Sequence, residues 1–131
     1  MNKWIMAGTA AAFTGAAAFA RSEYERTHLD IVHYDIKTDK LGLEWNGFKA
    51  VFLSDLHDNS FGMKNEELLA AIEKEQPDIV LIGGDMLVVK EWAAPNFDML
   101  ANLYKKLVKR YPVYYAFGNH EQRMKEEPLT Y

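Results

Sequence analysis

Three short polar clusters carry residue types from which a metal site can be built: Asp55-Leu56-His57, Gly83-Gly84-Asp85 and Gly118-Asn119-His120-Glu121. Carboxylate and amide oxygens mixed with imidazole nitrogens suit Mn, Fe or Zn better than Ca, which prefers an all-oxygen shell. Asp55 and His57 are one residue apart. On an extended backbone residues i and i+2 point to the same side, so the two side chains can grip one ion together. Glycines before Asp85 and Asn119 let the backbone turn sharply and leave room for a substrate. Asp-x-His alone arises by chance and Gly-Asp after a strand is an ordinary turn; Gly-Asn-His-Glu is more unusual because it has no obvious packing use, and it is their joint occurrence that points to chemistry. Two cations held by a bridging carboxylate activate water and offset the charge that builds on a phosphoryl group.

Each cluster follows an apolar run that reads as a buried strand: Ala50-Val51-Phe52-Leu53, Ile79-Val80-Leu81-Ile82 and residues 113–117. Between the runs lie two helical patterns. The first follows Asn65, a candidate N-cap, with Glu66 and Glu67 at the positive end of the helix and Leu68, Leu69 and Ile72 on one face; Pro77 ends it. The second spans residues 96–110, with an apolar stripe of Leu100, Leu103, Tyr104, Leu107 and Val108 and a cationic end from Lys105 to Arg110 that suits the helix dipole. Strand, helix, strand, helix, strand implies an α/β fold with parallel central strands joined by crossovers. The carboxyl ends of such strands share one edge, where open α/β sheets bind ligands.

The rest of the chain frames this unit. Residues 1–21 form an apolar, Ala-rich leader with Lys3 in front of it and no acidic residue. As a helix, its uncharged stretch (residues 4–20) would span about 25 Å, slightly short of a ~30 Å hydrocarbon core. It reads as a single-span transmembrane anchor or as a signal peptide cleaved near Ala18-Phe19-Ala20, so the chain is expected to be membrane-associated or exported. Residues 22–48 read as a charged connector followed by an edge hairpin, with strands at 29–36 and 41–45 and Asn46-Gly47 as a turn. A net charge of −4 argues against a nucleic-acid-binding surface, and the absence of cysteine excludes disulfides and thiolate metal sites.

Asp-x-His, then Gly-Asp, then Gly-Asn-His-Glu resembles the motif series of the calcineurin-like metallophosphoesterases, and more closely a membrane-associated bacterial branch of that family. The resemblance runs from about residue 49 to residue 121, within a domain expected over 49–131. It implies metal-dependent hydrolysis of a phosphoester substrate with two divalent ions. Asp55 and His57 would ligate the first metal, Asp85 would bridge both, and Asn119 would ligate the second. His120 would contact the phosphoryl oxygens and act as general acid, and Glu121 would support the site from behind the ligands or on the substrate side. Asp58 and Asn59 follow the first cluster; they either brace ligands or sit in a solvated loop. The family also carries later His and Gly-His-x-His motifs, which these 131 residues lack. His28 and His33 read as polar strand residues rather than substitute ligands, and Trp45, Trp92, Tyr111, Tyr114 and Tyr115 as packing residues. The expectation is therefore the amino-terminal half of a two-sheet sandwich: a truncated product without activity of its own, or a half-enzyme that needs a second polypeptide to complete it.

Overall fold

A computed structural model of the protein describes residues 3–89 and 95–126. The chain divides between Val32 and His33 into two units. The first contains helix α1, Lys3–Thr27. Charged residues 21–27 continue this helix instead of forming a connector. Arg21 pairs with Glu25 and Arg26 with Glu23, the i,i+4 and i,i+3 spacings that favour helical backbone. No helix among the described residues is long and apolar enough to cross a membrane, so the expected spanning anchor finds no support. The uncharged run is mostly alanine and glycine, whose small side chains give little apolar surface, and it is hemmed in by Lys3 and Arg21.

The second unit holds a sheet of three parallel strands in the order β1 (Ala50–Leu53), β2 (Ile79–Ile82) and β3 (Val113–Tyr115). The register sets Phe52 beside Leu81 and Leu81 beside Tyr114. Helix α2 (Glu66–Glu75) crosses from β1 to β2, and α3 (Phe97–Leu107) from β2 to β3. The parallel βαβαβ arrangement is the one that the alternating patterns imply.

The core joins Val80 and Ile82 of β2 to Leu68, Leu69 and Ile72 of α2 and Leu100, Leu103 and Leu107 of α3, with Leu56, Met86 and Leu87 buried at the strand ends. Each such buried side chain stabilises the fold by roughly 1.5–3 kcal/mol. Val108 falls outside the stripe and is exposed. No described residue of this unit covers the opposite face of the sheet, where Phe52 and Tyr114 are 66% and 62% exposed.

Two local expectations fail for identifiable reasons. Residues 29–36 pair with no strand, and Leu43–Trp45 is a single 3-10 turn, so the edge hairpin is absent. Val32, Tyr34 and Ile36, which share one side of an extended chain, find no sheet edge among the described residues and remain exposed. Asn65 precedes α2 but makes no side-chain cap. Its backbone is left-handed, φ 62°, which turns the side chain inward. There its Oδ1 accepts the Phe61 N–H at 3.0 Å and its Nδ2 donates to Met99 Sδ, while the Phe61 carbonyl accepts the Glu67 N–H. Asn96, by contrast, caps α3 by accepting the Met99 N–H at 3.1 Å. Trp92 lies outside the described residues.

Candidate active site at the strand ends

The three clusters follow β1, β2 and β3 and meet along one edge of the sheet. Backbone bonds continue past the ladder to hold them: Asp55 N–H donates to Gly84 C=O at 3.0 Å, His57 N–H to Asp85 C=O at 3.0 Å and Asp58 N–H to Met86 C=O at 3.1 Å. Asp55, His57, Asp58 and Asp85 all have left-handed backbones, with φ of 58°, 51°, 59° and 52°. Such conformations cost non-glycine residues of order 1–3 kcal/mol each and persist where the surroundings over-determine them. Asp55 and His57 are thus brought together by a turn and not by strand alternation. His57 Nε2 still lies 3.5 Å from Asp55 Oδ1, and both side chains face solvent. Ser54 Oγ donates to Asp55 Oδ2.

Asp85 occupies the middle. Its Oδ1 accepts the His120 N–H at 2.8 Å, at the first turn of helix α4 (Asn119–Glu126). The third cluster is therefore a helix start rather than a loop, and its amide dipoles favour the Asp85 charge. The Asn119 carboxamide lies against the same carboxylate. With its nitrogen turned inward it donates to Oδ2 at 2.6 Å and Oδ1 at 2.9 Å. With its oxygen turned inward, two acceptors would face each other, an arrangement that needs a cation between them. Gly118 is required here: a Cβ on it would run into the Asp85 carboxylate and N–H.

Glu121 is the buried support of the site. Its Oε2 accepts from Asp85 N–H at 2.8 Å and Gly118 N–H at 3.0 Å, and its Oε1 from Met86 N–H at 2.7 Å and Leu87 N–H at 3.4 Å. Burial pushes its carboxyl up, but the bonds from Asp85, Met86 and Gly118 outweigh this and hold it below the ordinary glutamate range. Nearby, Tyr115 is pushed up to about 12, first by burial and then by the Glu121 charge. Tyr115 packs edge-on to Tyr104 and Phe117, the packing role expected of that tyrosine.

The His120 ring stands edge-to-face with His57 at 5.1 Å between centroids, and its Nδ1 accepts the Val89 N–H at 3.2 Å. The Asp58 carboxylate accepts Val88 N–H and Asn96 N–H, both at 3.2 Å. Asp58 is thus a brace, a role that its sequence position alone left open. Asn59 is half-buried, and its N–H closes the turn on the Leu56 carbonyl.

Asp55, His57, Asp85 and Asn119 fit divalent ions in kind. They do not complete a shell, since among the described residues no three His, Cys, Asp or Glu side chains converge on one point.

The calcineurin-like phosphoesterase family model matches residues 48–131. Phosphodiesterase YaeI of Escherichia coli (strain K12) is 31% identical over 78 residues, covering 57% of this chain and 28% of that protein. The uncharacterized metallophosphoesterase YkoQ of Bacillus subtilis (strain 168) is 36% identical over 75 residues, covering 57% of this chain and 27% of that protein. The matched stretch thus spans less than a third of either relative. No solved structure matches the chain. Because the family match takes in all three strand-end clusters and well over half of the residues, this chain belongs to the calcineurin-like phosphoesterase family.

Proposed function

We infer that these residues supply part of the active centre of a metal-dependent phosphoester hydrolase, and that a phosphodiester is the preferred substrate class. The observation that carries the reading is the Asp85 carboxylate, which faces Asn119 and the start of α4 between the tips of β1 and β3. YaeI is named a phosphodiesterase, which favours a diester over a monoester. Asp55, His57, Asp85 and Asn119 would hold two divalent ions of the Mn, Fe or Zn type. When bound, such ions supply Lewis acidity and positive charge at the phosphoryl group.

The protein's own groups do the rest. His120 Nδ1 accepts a backbone N–H, so a neutral ring carries its proton on Nε2. That N–H can donate to a phosphoryl or departing oxygen; giving the proton up completely would leave an imidazolate. The geometry therefore supports hydrogen-bond donation by His120 in place of full acid catalysis. Glu121 and the turn bonds fix Asp85, so the site is organised before substrate arrives.

The test is hydrolysis of a phenyl phosphodiester by the full-length protein with added Mn²⁺. His120→Ala is expected to lower kcat by about 10²–10³-fold, the cost of one donor to the developing charge, and Asp85→Asn to lower it at least as much. Wild-type rates in both variants would overturn the assignment.

Among the described residues no three such donors converge, which favours a second reading for these 131 residues alone: weak metal binding and no turnover. Calorimetric titration of the isolated chain with Mn²⁺ or Zn²⁺ separates the two, because tight binding of two ions per chain contradicts the inactive reading.

A further inference from the structure

We propose that Asp58 is a positioning residue for His120, acting through the backbone of Val88 and Val89. This rests on the reading of His120 as the residue that faces the phosphoester. Asp58 is half-buried, its backbone is left-handed at φ 59°, and its own N–H is bonded to the Met86 carbonyl. The carboxylate is therefore held from behind. Its two oxygens are used separately: Oδ2 accepts Val88 N–H and Oδ1 accepts Asn96 N–H.

These two bonds fasten the chain just after the second cluster to the residue that opens α3. The next amide along, Val89 N–H, points at His120 Nδ1 at 3.2 Å. A ring nitrogen that accepts an N–H cannot carry a proton, so this contact selects the Nε2–H tautomer. The order of influence is Asp58, Val88, Val89, His120. Asp58 lies 30 residues from Val88, and Val89 lies 31 from His120. The brace thus links the turn after β1 to the helix after β3 through the segment after β2.

A carboxylate suits this position because both oxygens accept. In Asp58→Asn one of them becomes an NH₂ that faces an N–H, and in Asp58→Ala both are lost. Either change should free the Val88–Val89 backbone and remove the bias on the His120 ring.

The test uses the full-length protein, ¹⁵N-labelled at histidine and zinc-loaded, at a pH above the histidine range. In the wild type, His120 should show a single Nε2–H tautomer. In Asp58→Asn and Asp58→Ala its ring nitrogens should shift toward a mixture of tautomers. Kinetics with two diesters add a second readout. Phenolate is a poor leaving group that needs a donor, and 4-nitrophenolate needs one much less. The variants should therefore lose about tenfold in kcat on the phenyl diester and clearly less on the 4-nitrophenyl diester.

An unchanged tautomer together with an unchanged leaving-group ratio overturns the proposal. If Asp58→Ala does not fold, Asp58→Asn is read alone by the same two criteria. The His120 reading fails separately: should His120→Ala hydrolyse both diesters at the wild-type rate, the assignment of His120 falls, while the tautomer measurement still decides what Asp58 does.

Discussion

Glu121 shows how much one buried charge can organise. Four backbone N–H groups from two distant segments end on its two oxygens, so it holds the Asp85 turn against the start of α4. Glu121→Gln presents an NH₂ to two of those donors and leaves them unsatisfied. A stability loss of about 3 kcal/mol is expected, read as a lower midpoint in urea. The acid limb adds a second signature. The folded carboxyl titrates below its unfolded value, so its contribution is complete above the ordinary glutamate range, at pH values over about 4.3, and is lost as pH falls through the folded value. The wild type should lose stability over that acid interval more steeply than Glu121→Gln, and identical slopes would contradict the buried-anion role. Glu121 was visible in the sequence as the last letter of a motif, but its task was not, because its partners lie up to 36 positions upstream. Asp58 was ambiguous for the same reason: hydrogen bonds that span some 30 residues leave no local pattern.

Elements were legible where one physical signal dominated. The three strands are short apolar runs closed by glycine or a polar cluster, and the two crossover helices repeat leucine at helical spacing. Signals misled where they competed. Residues 29–36 alternate like a strand, with Val32, Tyr34 and Ile36 on one side, yet they stay unpaired. Asn65 looks like a cap by residue type, yet its left-handed backbone turns the amide into the interior. Asn96 does cap, and Asn96→Ala should cost about 1 kcal/mol, measurable by thermal denaturation. Glycine placement gives a sharper test. Gly118→Ala drives a methyl into the Asp85 carboxylate, which is part of the site and cannot move freely. Destabilisation of at least about 1–3 kcal/mol is expected, with weaker metal binding seen by calorimetry. The same change at Gly15, where nothing lies within 4 Å of the added carbon, should be neutral or slightly stabilising.

On the scale of the second unit, its described residues cover the sheet on one side only. Phe52 and Tyr114 stand outward on adjacent register positions with Leu81 between them. Contiguous aromatic surface of this kind favours association. The 131-residue chain on its own should therefore form concentration-dependent oligomers in light scattering, and Phe52→Ser with Tyr114→Ser should return it toward monomer. The composition of the leader did not settle its relation to a membrane, because alanine is equally at home in a soluble helix. The strand order carries one more meaning, for stoichiometry. Neighbouring strands run roughly 4.8 Å apart, so the tips of β1 and β3 are about 10 Å apart and only the tip of β2 is one step from each. On the proposed two-ion reading, removing a donor on either flank, Asp55→Ala or Asn119→Ala, should cost one of the two ions, whereas Asp85→Ala should cost both, counted by metal analysis of the dialysed variants.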